Sequence, residues 1–281
     1  MDEFKYGKKS LEICCYVIGA GAFSVFLRWL QNQLAFNELG LAEKSFLHVV
    51  LTLFFVAAAA VFLQFISRFE KQHLYLPDDF QEAFSAEGKL YLIMRILAGV
   101  IICAGAAILF MQTELDKYST EYRLLAGLGF LSGICLPLWF GFANRRKLPG
   151  YGVLCMLSFI PMLWMATWLV ICYKMNTINS VVWQFFPEML TVAVTMLAFF
   201  RLGGYVFGRP KWKFTLFASM MAALFCLMSL ADERYLGQQI MFLGAALINL
   251  YTTWVIVKNF EKKDVPKAAP RKETTGGFEE L

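Results

Sequence analysis

Residues 90–111 read LYLIMRILAGVIICAGAAILFM. This run of apolar and small residues carries a single charge, Arg95, and no acid. As an α-helix rising about 1.5 Å per residue, it is long enough to cross the roughly 30 Å hydrocarbon layer of a bilayer. A helix packed on the core of a soluble domain keeps one polar face, and no such face exists here. The stretch predicts a membrane-spanning helix.

Seven further runs of the same kind lie at 11–30, 46–66, 122–143, 151–173, 181–202, 214–230 and 236–257. The whole chain agrees with them: 59% of its 281 residues are hydrophobic, 17% are charged, and the mean hydropathy is +0.56. That balance excludes an ordinary soluble globular domain. Ten-residue segments of alternating polarity, the mark of a membrane β-barrel, are not seen. The expected fold class is therefore all-α, a polytopic transmembrane helical bundle of eight spans. The first run is full-length and no small-residue cleavage site leads into a soluble domain, so it is expected to remain as a span.

The basic residues test the count independently. Nineteen of the 26 Lys and Arg fall at the N-terminus, in every second connection and in the C-terminal segment, whereas the other connections hold only Lys44, Lys117, Lys174 and Arg234. Arg28, Arg95 and Arg123 lie within spans or at their edges. The positive-inside rule then places both termini in the cytoplasm. Residues 1–260 form a single eight-span domain on this reading. Residues 261–281, rich in Lys, Glu, Pro and Gly, form a disordered cytoplasmic tail. Because membrane orientation already accounts for the basic residues, the net charge of +5 does not point to nucleic acid.

The seven cysteines all sit in apolar runs without a C-x-x-C pair, and they read as small buried hydrophobes. Small residues such as Gly19, Gly21, Ala57 to Ala60, Gly129 and Gly133 permit close helix contacts inside one bundle. Histidine-based zinc motifs and the nucleophile elbow G-x-S-x-G are absent, so no catalytic motif and no cofactor is indicated.

Charges and amides at membrane depth remain, and these are expensive unless they serve a purpose. Within WQFFPEML, residues 183–190, Pro187 and Glu188 suit the first turn of a helix, where a carboxylate meets the positive end of the dipole. Arg28 lies near the same depth at the far end of the first span. Two expectations follow: Arg28 snorkels to the headgroups while Glu188 starts a helix, or the two form an outward-facing polar pair. Asn249, in the middle of the eighth span, must find partners inside the bundle or line a wet cavity.

The connection 68–89 holds the one local acidic cluster, Asp78, Asp79 and Glu82, interleaved with Phe80, Ala83 and Phe84 at helical spacing. An interfacial helix with its phenylalanines among the headgroups is expected. The D-D-x-x-E spacing also resembles the first aspartate motif of membrane prenyltransferases of the UbiA type. That resemblance implies a magnesium site for a diphosphate, with Asp78, Asp79 and Glu82 as metal ligands. It extends no further, because the connection after the sixth span, FRLGGYVFGRPKWK, lacks the second acidic motif.

The reading reached from sequence is transport, or binding of a small or partly apolar solute in an intramembrane cavity, with Arg28, Glu188 and Asn249 as its polar residues. The alternative is a non-catalytic membrane protein that binds a partner protein through its cytoplasmic loops or tail. A magnesium-dependent lipid or isoprenoid transferase comes third. Membrane lipids are expected partners. With no N-x-Ser/Thr acceptor and no organellar targeting feature, a prokaryotic plasma membrane is the expected location.

Overall fold

The computed structural model describes residues 2–36, 46–113, 119–145, 148–176 and 185–262. Among the described residues, eight helices are long and apolar enough to cross a membrane. They are α1 (Asp2–Leu34), α2 (Leu47–Lys71), α4 (Lys89–Gln112), α5 (Ser119–Ala143), α6 (Tyr151–Asn176), α7 (Phe186–Val206), α8 (Trp212–Met228) and α9 (Leu236–Lys258). Strand β1 (Leu74–Tyr75) and the short helix α3 (Phe80–Phe84) lie between α2 and α4; a 3-10 turn, Ser229–Ala231, follows α8, and β2 (Glu261–Lys262) follows α9.

The last six spans form a closed ring in chain order. Each of α4 to α9 packs on the next, and α9 returns to α4. Helix α1 lies against α8 and α9, and α2 sits outside it on α1 and α8. This explains why α8 and α9 are mostly buried while α2 exposes most of its surface.

The ring closes where side chains are missing. A Cβ on Gly237 of α9 would stand 2.4 Å from the Leu109 backbone nitrogen and 2.6 Å from the Gly105 carbonyl of α4. One on Gly105 would stand 2.7 Å from the backbone nitrogen of Met241. With hydrocarbon on all sides there is little hydrophobic drive between helices, and close van der Waals contact is what holds them. Gly99 and Gly133 bring α4 and α5 together in the same way. Of the small residues noted in the sequence, Gly21, Gly129 and Gly133 sit at such close contacts within the chain, whereas a Cβ on Gly19 would meet nothing and Ala57 and Ala60 are exposed.

At one end of the bundle β1 pairs with β2, Leu74 opposite Lys262 and Tyr75 opposite Glu261. The first two residues assigned to a disordered tail are therefore part of this sheet, and 263–281 lie outside the described residues. Beside the sheet, α3 folds back into the ring. Asp79 caps it, accepting from the backbone of Gln81 at 2.8 Å and of Glu82 at 3.3 Å. Two asparagines hold its far side: Asn144 accepts from the Ala86 backbone nitrogen at 2.7 Å, and Asn259 donates to the Ser85 carbonyl at 2.8 Å.

Phe80 and Phe84 do not lie among the headgroups. Both are buried, meeting Trp139 at 4.7 and 5.1 Å between ring centroids, and Phe84 also meets Phe140 and Tyr205. Rings from α3, α5, α7 and α9 fill that end of the lumen. The helical spacing of these residues marks an apolar face, but whether lipid or the bundle interior receives that face is not local to the sequence.

Replacing Gly237 by Val should destabilise the fold by about 1–3 kcal/mol, because the atoms in the way are backbone and cannot swing aside. The same change at Gly19, whose Cβ would meet nothing within 4 Å, should leave the melting temperature in mild detergent unchanged. Thermal unfolding of the two variants side by side checks this.

Candidate functional site

The opposite end of the ring carries a buried network of four charges. Arg28, in the last turns of α1, is fully buried, and its Nε donates to Asp232 Oδ1 at 2.7 Å. Its Nη1 donates to Gln31 Oε1 at 2.6 Å. Asp232 lies in the short connection between α8 and α9, and its other oxygen accepts from Arg234 Nη2 at 2.8 Å. Arg234 Nη1 in turn stands 3.6 Å from Glu188 Oε1 in the first turn of α7. Trp168 Nε1 of α6 donates to that same oxygen at 2.9 Å.

Two arginines and two carboxylates balance, so the cluster is neutral as a unit. Neutrality matters because an isolated ion moved out of water costs several kcal/mol. One carboxylate, Asp232, is shared by two guanidinium groups, and Asn32 also donates to it at 3.2 Å. Below the cluster the polar contacts continue between helices: Thr191 Oγ1 on α7 is 2.8 Å from Ser229 Oγ, and Thr195 Oγ1 is 3.3 Å from Cys226 Sγ on α8.

Next to the network the lumen holds a cavity of about 550 Å³. Its wall comes from α5, α6, α7, α9 and the connection 232–235, with Glu188, Glu233, Arg234 and Gln238 as polar members. Tyr122, Ile171, Cys172, Met175, Phe185 and Tyr235 supply the apolar and aromatic surface. Tyr122 and Tyr235 meet edge to face at 5.2 Å, and Lys174 pairs with Glu121 near the rim. A smaller cavity of about 190 Å³ lies on the other side of the network, where it reaches Arg28, Gln31 and His48. The charges therefore form a wall between two spaces.

Arg28 does not snorkel to the headgroups. It is enclosed, and its acidic partner is Asp232; Arg28 and Glu188 belong to one network without touching, joined through Asp232 and Arg234. Glu188 occupies the first turn of α7 beside Pro187, as its sequence context predicts. Asn249 lies apart, about 16 Å along α9 from Gln238 at 1.5 Å per residue. Its Nδ2 donates to Ala245 within the same helix, and its buried Oδ1 has no hydrogen-bond partner among the described residues.

Asp78, Asp79 and Glu82 are exposed at the opposite end, with Asp79 engaged as the α3 cap. Among the described residues no three His, Cys, Asp or Glu side chains converge as a metal site. Asp232, Arg234 and Trp168 were not among the residues singled out from sequence. The available signal was A-D-E-R, residues 231–234, a run of charge squeezed into a connection too short to leave the bundle.

These features define a polytopic helical membrane protein with a charged, cavity-bearing end. No protein-family model matches the chain, and neither a curated protein nor a solved structure shows significant similarity to it. The site is accordingly read from its own geometry.

Because the Arg28–Asp232 pair is buried, Arg28→Gln or Asp232→Asn alone should cost about 3–5 kcal/mol by leaving an uncompensated charge. The double variant should recover part of that loss. Glu188→Gln should cost less, since an amide oxygen still accepts from Trp168. Melting temperatures across this set, in one detergent, measure the coupling; an additive double variant would show that Arg28 and Asp232 are independent.

Proposed function

We propose that this protein binds a small, partly apolar solute in the lumen cavity and carries it across a plasma membrane. The observation that supports this most is the cavity itself. It is a space of about 550 Å³ among the ends of α5, α6, α7 and α9, mostly apolar in lining and bordered by buried Glu188 and Gln238 and by Arg234. Small-molecule sites fall in the range of about 300–1,000 Å³ and combine an apolar wall with a few placed polar groups.

Two further features favour a carrier over a static binder. The ring has a cavity with charged residues in its wall at one end and is filled with aromatic rings at the other, as expected of a state open to one side only. The plug is a separate short helix held by two asparagines, and it could be released without unfolding a span. By the positive-inside rule the cavity opens away from the cytoplasm and α3 lies on the cytoplasmic side, in a prokaryotic plasma membrane.

Protein extracted in mild detergent, with its small molecules identified by mass spectrometry, tests the binding step. A solute retained by the wild type should be lost from Glu188→Gln and from Gln238→Leu; identical profiles in all three would overturn the reading. Transport is tested with that solute after cross-linking Ser85→Cys to Asn144→Cys, positions whose side chains already approach to 3.2 Å. The oxidised protein should still retain the solute but no longer pass it into proteoliposomes, and undiminished flux would exclude α3 as a gate.

A further inference from the structure

A second site lies on the outside of the ring, between α4 and α5. These helices touch at Gly99 and Gly133, and about two turns away, toward the charged end, the space between them is open. The resulting groove has a volume of about 730 Å³ and is lined almost wholly by carbon. Ala106, Ala107 and Gly127 form part of its wall, with Phe110, Leu124 and Leu131 beside them. Gly127 leaves real room: a Cβ there would meet nothing within 4 Å. Leu124, Phe130 and Leu131 are exposed on a spanning helix, so the groove faces the membrane.

One charge borders this surface. Arg123, four residues into α5, lies at the end of the groove with its guanidinium 5.5 Å from the Phe110 ring centroid. It is exposed, and no carboxylate among the described residues pairs with it. This sets it apart from Arg28 and Arg234, which are enclosed with acids, and from Lys174, which has Glu121. From Arg123 to Leu131 the groove runs about 12 Å along the helix, close to the depth of one leaflet's hydrocarbon, roughly half of 30 Å.

We propose that this groove is a binding site for one anionic phospholipid, its phosphate on Arg123 and one acyl chain along Gly127 between α4 and α5. Charge complementarity selects the headgroup, since a guanidinium binds phosphate in a fork of parallel hydrogen bonds. The gap between the helices selects a chain over a side chain, because nothing among the described residues fills it. The site is separate from the lumen cavity and independent of what that cavity carries.

Native mass spectrometry of delipidated protein tests this, with phosphatidylglycerol and phosphatidylcholine of identical palmitoyl-oleoyl chains as probes. The first phosphatidylglycerol should bind about fivefold more tightly than the first phosphatidylcholine, the factor expected of one basic side chain at a membrane surface. Arg123→Gln should remove that preference, and Lys174→Gln should keep it. Gly127→Leu, whose Cβ would meet nothing within 4 Å and whose side chain extends into the groove, should weaken both lipids while the melting temperature without added lipid stays that of the wild type. Retained preference in Arg123→Gln, or wild-type binding of both lipids by Gly127→Leu, would overturn the assignment and leave only unselective annular lipid.

Discussion

The fold depends on the backbone contact between α4 and α9. Six spans in chain order make a ring only if the last can reach the first, and the approach at Gly105 and Gly237 leaves no room for a Cβ on either side. In lipid, where apolar side chains gain nothing by leaving one another for hydrocarbon, such contact is the main attraction between helices. A ring closed this tightly at one seam encloses the aromatic packing and, at one end, borders the charged network and its cavity. The aromatic rings of α3 fill one end, and the cavity occupies the other.

The charged end follows from a second constraint, that buried ions must be balanced. Asp232 sits between two arginines from different parts of the chain, and Glu188 supplies the second negative charge through Arg234. The network ties α1, which is outside the ring, to the α8–α9 connection and to α7 within it. It also gives the cavity its charged wall, where Arg234 stands 3.6 Å from Glu188.

How much of this was legible in the sequence depends on the range of the interaction. The spans are local, since a run such as 90–111 states its own environment, and all eight were readable from apolar length and the alternation of basic loops. Pro187 and Glu188 as a helix start were equally local. What sequence could not supply was partner choice across long separations. Arg28 finds Asp232 across 204 residues, a partner that neither expectation for Arg28, headgroups or Glu188, contains. Phe80 and Phe84 show the same limit. Their spacing announces an apolar face, but whether lipid or the ring interior receives it depends on how six distant helices close.

The asymmetry of the lumen is the feature that most constrains function. One end of the bundle keeps a cavity among the ends of α5, α6, α7 and α9. Filling it would be easy, because rings already do so over the rest of its length, from Trp164, Trp168 and Phe242 to the cluster around Trp139. Trp168 marks where that filling stops, for its indole stacks on Phe242 at 4.3 Å and turns its N–H to Glu188 at the cavity wall. Beyond Trp168 the aromatic packing runs on to the other end of the bundle, where Phe80 and Phe84 of α3 meet Trp139.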